Sequence, residues 1–136
     1  MYEFFEHTAD IGLRIRATTL PEVFNEAARG LFSLIVENPE VIQPADRRII
    51  HLKAESVELL LFDWLDHLLY VFDAEHLLCN RFDVTIDELS LTATLWGERL
   101  DLSRHVLAHE VKAITYHDLK LKQIDGEWLA EVILDI

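Results

Sequence analysis

With 136 residues, 51% of them hydrophobic, the chain is the right size for one compact domain with a full core. Twelve Lys and Arg against 25 Asp and Glu leave a net charge of −13, so most of the surface would repel RNA phosphates and direct nucleic-acid binding is not expected. No apolar run of about 18 residues suits a membrane span. One cysteine, Cys79, and a start at Met1–Phe4 unlike a signal peptide point to a reducing cytoplasm.

Negative charge serves solubility first; it also suits a cationic protein surface or a hard metal ion. No repeat, low-complexity tract or Gly/Ser linker divides the chain. Tyr2–His7 predicts the first strand. In Ile11–Ala17, apolar Ile11, Leu13, Ile15 and Ala17 alternate with Gly12, Arg14 and Arg16, the period of a half-buried second strand. Thr19-Leu20-Pro21-Glu22 reads as a capping box, and the helical spacing of Phe24, Ala27, Ala28, Leu31 and Ile35 carries a helix to about Val36, before Asn38-Pro39. After a loop over Val41–Ala45 and a strand near Arg48–Ala54, Ser56 caps a second helix. Its Val57, Leu60, Leu61, Trp64, Leu65, Leu68 and Phe72, widened by Leu59, Phe62 and Leu69, predict the central buried helix.

The second half is strand-rich. Phe82–Ile86 and Leu89–Trp96 alternate; Gly97-Glu98 reads as a hairpin turn before Arg99–Leu102; Val111–Gln123 reads as one long extended segment. Asp125-Gly126 is a strong hairpin signal leading to Trp128–Leu134. Two main helices and about seven mostly antiparallel strands predict an α+β fold, a two-layer sheet-and-helix domain spanning residues 1–136.

Asp10 stands between two apolar strand segments, and Asp135 ends another. Asp10 could cap a turn and Asp135 could be a solvated strand end. Brought together beside the terminal carboxylate of Ile136, they would instead need a cation, and oxygen donors suit Ca²⁺, Mg²⁺ or Mn²⁺. In Glu110–His117, Lys112, Ile114 and Tyr116 would share one strand face, with Val111, Ala113 and Thr115 on the other; a wet strand face is the simpler reading than proton transfer. The seven histidines show no metal-ligand spacing, and zinc is not expected. No phosphate loop, nucleophile elbow or activated cysteine appears, so no enzyme activity is expected.

His7-Thr8-Ala9-Asp10-Ile11-Gly12 resembles the opening motif of archeases. The likeness continues through Leu59-Leu60, Trp64-Leu65 and Leu68-Leu69-Tyr70, then Glu110-Val111-Lys112-Ala113-Ile114-Thr115-Tyr116-His117, and closes with Asp135-Ile136. The resemblance implies a non-catalytic accessory protein of an RtcB-type RNA ligase, promoting its guanylylation and multiple turnover in tRNA splicing or RNA repair. It also admits a chaperone-like modulator of RNA-modifying enzymes such as a tRNA methyltransferase. It implies a metal site at Asp10, Asp135 and Ile136, the last through a main-chain or terminal oxygen, holding a divalent cation, calcium first, with Mg²⁺ or Mn²⁺ as alternatives. Many archeases carry an aspartate where this chain has Ser56, flanked by Glu55 and Glu58, so a third acidic ligand is not expected there.

Overall fold

In a computed structural model describing residues 1–136, the first two alternating segments pair as an antiparallel hairpin, β1 (Tyr2–His7) with β2 (Asp10–Ala17). Helix α1 (Leu20–Ile35) follows, started by the Thr19 hydroxyl, which accepts from the Glu22 N–H at 3.3 Å. The Glu22 carboxylate accepts from the Thr18 hydroxyl at 3.2 Å instead of from the Thr19 N–H, so only the first half of the capping box forms. After a 3₁₀ turn at Pro39–Val41 come β3 (Asp46–Lys53), α2 (Val57–Glu75), β4 (Leu77–Asp87) and β5 (Ser90–Arg99). The short β6 (Ala113–Ile114), β7 (Lys120–Ile124) and β8 (Glu127–Asp135) complete the chain. Two helices and eight strands in two antiparallel sheets make the α+β fold that the periodicities predict.

One sheet runs β1-β2-β8-β6, with β7 also paired to β8; the other runs β3-β5-β4. Each helix touches both sheets. α2 buries residues on several sides, among them Trp64 and Leu68 at 0% exposure, and the Trp64 indole N–H donates to the Phe24 carbonyl of α1 at 2.8 Å. It is the central helix expected from its breadth of apolar positions. No helix is long and apolar enough to cross a membrane.

Three expectations fail for identifiable reasons. Gly97 turns nothing: it lies inside β5, where an added Cβ would fall 1.9 Å from the Leu78 carbonyl oxygen. The glycine answers a close backbone approach beside the register shift at Cys79/Arg81. The real β4–β5 turn is at Glu88-Leu89, with Glu88 at φ 55° and no glycine to announce it. Nor do residues 99–102 form a strand. Arg99 ends β5, and Asp101 starts a turn by accepting from the Ser103 N–H (3.0 Å, side chain) and the Arg104 N–H (2.9 Å, main chain).

Val111–Gln123 is broken, and with it the assignment of Lys112, Ile114 and Tyr116 to one face. Only Ala113–Ile114 and Lys120–Ile124 join the sheet, both against β8. Between Ile114↔Leu134 and Lys120↔Glu131, five residues, Thr115–Leu119, oppose two, Val132 and Ile133. The surplus loops out as a bulge closed by the Leu119 N–H on the Tyr116 carbonyl at 3.1 Å, with Asp118 at φ 54°.

A candidate metal centre at the end of the five-stranded sheet

The register of β2 and β8 decides where the acidic candidates lie. Ile11 pairs with Leu134, so one further step sets Asp10 opposite Asp135. His7 pairs with Asp10 on one side, and Ala113 pairs with Asp135 on the other. His7, Asp10, Asp135 and Ala113 therefore form a row across four strands.

Alternation fixes the face. Leu13, Ile15, Ala130, Val132 and Leu134 are in the core, and the Ile136 side chain packs against it as well. Asp10 and Asp135, offset by one, point to the opposite face, each half-buried. Directly opposed residues have Cβ atoms about 4.5–5.5 Å apart, within reach of one cation bound at about 2.3–2.6 Å. The donor set is oxygen-only and fits a hard divalent ion. The Asp135 carbonyl already accepts the Lys112 N–H at 2.7 Å, which fixes the end of β8 against the strand beside it.

The bulge sets a second group next to this row. His7 Nε2 and His117 Nε2 each lie 3.3 Å from Asp118 Oδ2, and the two imidazoles meet edge-on with centroids 5.1 Å apart. Linear spacing gives no sign of this cluster: His7 and His117 are over a hundred residues apart, and Asp118 arrives only because the strand buckles. Tyr116 leaves the strand too and stacks on Phe62 of α2, centroids 3.9 Å apart. Lys112, Tyr116 and His117 thus form no shared proton-transfer group.

Below the cluster the same face is closed by packed and paired side chains. The Phe5 ring covers Gly12, and the Arg14 guanidinium lies 4.5 Å over that ring. Arg14 donates to Glu131 at 2.7 Å. Burial pushes the Glu131 carboxyl up, but the bonds and charges of Arg14 and Lys120 outweigh it and hold the group below the usual carboxylate range. Cys79 offers no nucleophile, because burial pushes its thiol up to about 12.

Comparison with known proteins gives the fold a family. Residues 2–136 match the model described as the archease protein family (MTH1598/TM1083). The chain is 39% identical to the protein archease of Pyrococcus abyssi, covering 99% of this chain and 98% of the relative, and 36% identical to that of Sulfurisphaera tokodaii over the same shares. The solution structure of Methanobacterium thermoautotrophicum protein 1598 superposes with a TM-score of 0.87 at 36% identity, covering 99% of this chain and 98% of that one. A crystal structure of an archease from Thermotoga maritima, described as a possible chaperone, has the same fold with a TM-score of 0.70 at 23% identity. The chain belongs to the archease family.

Within this archease fold, Ser56 serves α2 alone. Its hydroxyl accepts from the Leu59 N–H at 3.2 Å and adds no charge to the centre.

Proposed function

We propose that this archease family member is a non-catalytic accessory protein that activates an RtcB-type RNA ligase, promoting its guanylylation and hence multiple turnover in tRNA splicing or RNA repair. The observation that carries the reading is the juxtaposition of Asp10 and Asp135 at an accessible sheet end. Those carboxylates, with a main-chain or terminal oxygen of Ile136, would hold Ca²⁺, or Mg²⁺ or Mn²⁺ in its place. A bound divalent ion supplies positive charge for phosphate or carboxylate oxygens. The chain's own residues orient the carboxylates and keep them from relaxing apart, because both are at the ends of paired strands.

The overall charge of −13 favours a basic protein surface as partner over RNA itself. Presented at the ligase's nucleotide site, the acidic end would help position a metal ion or the histidine to be guanylylated. The test is multiple-turnover ligation of RNA 2′,3′-cyclic phosphate and 5′-hydroxyl ends with catalytic ligase and added accessory protein. Asp10→Ala and Asp135→Ala are each expected to reduce turnover at least tenfold; wild-type stimulation by both removes this reading. Recovery of a tRNA methyltransferase without any ligase in a pull-down would instead favour the role of modulator of RNA-modifying enzymes.

A further inference from the structure

We propose that His7, His117 and Asp118 form a second metal site, distinct in chemistry from the acidic pair, that takes Zn²⁺ or a similar borderline transition-metal ion. Two imidazole nitrogens converge on one carboxylate oxygen, each at 3.3 Å, and all three donor atoms lie within 4.8 Å of one another. That spacing is wide for charge-assisted hydrogen bonds, which settle at about 2.7–2.9 Å. The two edges that meet at Asp118 match the edge of a tetrahedron around zinc, since bonds of about 2.0–2.1 Å put neighbouring ligands about 3.3–3.4 Å apart. The third edge, between the two imidazole nitrogens, lies within 4.8 Å and is closed by turning the exposed His117 ring.

The ligand types separate the two centres. Two imidazoles and a carboxylate suit borderline ions, whereas the all-oxygen set at Asp10 and Asp135 suits hard ones. The side chains of His117 and Asp118 are 65% and 58% exposed, so the fourth position is open to water or to a donor from a bound partner. Thr8, in the β1–β2 turn, and Asp118, in the bulge, adopt φ of 52° and 54°, so two tight turns set the backbone that carries His7 and Asp118.

Affinity is expected to be moderate. His7 Nδ1 is buried and meets no partner, so the free protein keeps its ring proton on Nε2, where Asp118 accepts it. A metal at Nε2 requires the other tautomer, with an N–H at the unpartnered Nδ1, and this offsets part of the binding.

The experiment uses the full chain free of any histidine tag. Co²⁺ is titrated and followed by its visible absorption, then displaced by Zn²⁺, with Ca²⁺ as the competing hard ion. One Co²⁺ per chain with the strong absorption of low coordination is expected, displaced by Zn²⁺ and retained in excess Ca²⁺. His117→Ala and Asp118→Asn are each expected to weaken Zn²⁺ binding at least about tenfold, since even supporting groups around a metal are worth about that much. Asparagine tolerates the left-handed backbone at 118, and circular dichroism verifies that both variants fold. Asp10→Asn is expected to leave Zn²⁺ affinity within about twofold while weakening Ca²⁺. Failure of the wild type to bind Zn²⁺, or equal affinity in both site variants, overturns the proposal. So does loss of Zn²⁺ binding in Asp10→Asn, which would mean one mixed site. Ligase stimulation is read separately, so this proposal and the proposed function can fail independently.

Discussion

Gly12 shows how much one missing side chain can organise. An added Cβ would lie 2.1 Å from Phe5 Cζ, inside the ring that Arg14 covers from above. Gly12→Ala must therefore expel Phe5 from the sheet surface and loosen the Arg14–Glu131 pair next to the candidate metal centre. We expect a loss of about 1–3 kcal/mol, the usual cost of overpacking, read as a lower urea midpoint. Phe5→Ala in the same chain should recover part of the loss; an unchanged midpoint in the single variant would show that the ring moves freely. The sequence displays Gly12 only as part of a strand's polar phase, with no hint of the ring above it. Asp10 and Asp135 were legible as candidates because a carboxylate beside an apolar strand is conspicuous. Their meeting was not, since it depends on which strands pair. The grouping of His7, His117 and Asp118 was not legible, because their proximity is produced by surplus backbone.

At the scale of elements, both helices and their caps follow from the chain's periodicity, as do β1, β2, β3, β8 and the turn at Asp125-Gly126. Misreadings arose where a glycine served packing and where alternation continued through a break. The segment after β5 illustrates the difference. It has no regular structure, yet His105 is 2% exposed and holds it in place. Its Nδ1 accepts from the Asp101 N–H at 2.9 Å, which leaves the ring proton on Nε2 for Glu98 at 3.1 Å. Glu98 also accepts from Arg104 and from the Gln43 N–H. Farther on, Ala108 and His109 donate to the Ile35 and Leu34 carbonyls at the end of α1. His105→Ala should cost about 2–3 kcal/mol, through a buried acceptor lost and a carboxylate left short of a donor. Amide exchange should accelerate first across residues 100–109, while α2 keeps its protection. Uniform acceleration throughout the chain would contradict a local anchoring role.

The molecule as a whole depends on one continuous buried core and a few paired carboxylates. Trp64→Ala removes a side chain at 0% exposure together with its bond to Phe24, and is expected to cost about 3–5 kcal/mol in chemical denaturation. Acid should act through Glu98 and Glu131. Burial raises each carboxyl, but bonds from Arg104, the Gln43 N–H and His105, and from Arg14 and Lys120, lower them further than burial lifts them. Their folded values lie below the ordinary 4.5, so their contribution is fully present above that pH and is lost as pH falls through the lowered values. A Glu98→Gln, Glu131→Gln protein should melt earlier near neutrality and show a flatter decline in melting temperature below about pH 4.5; parallel curves for the two proteins would exclude these groups as the acid-sensitive ones. The fold class was legible because it needs only the number and kind of elements. Strand order was not, because β2 pairs with a strand over a hundred residues away. That long-range pairing sets the order of assembly during translation. β8 joins β2, β6 and β7, and it leaves the ribosome after all of them. Until it does, the β1–β2 hairpin offers a bare backbone edge, open to chaperones or to its own kind, and Asp10 waits without Asp135, the residue that the register sets opposite it.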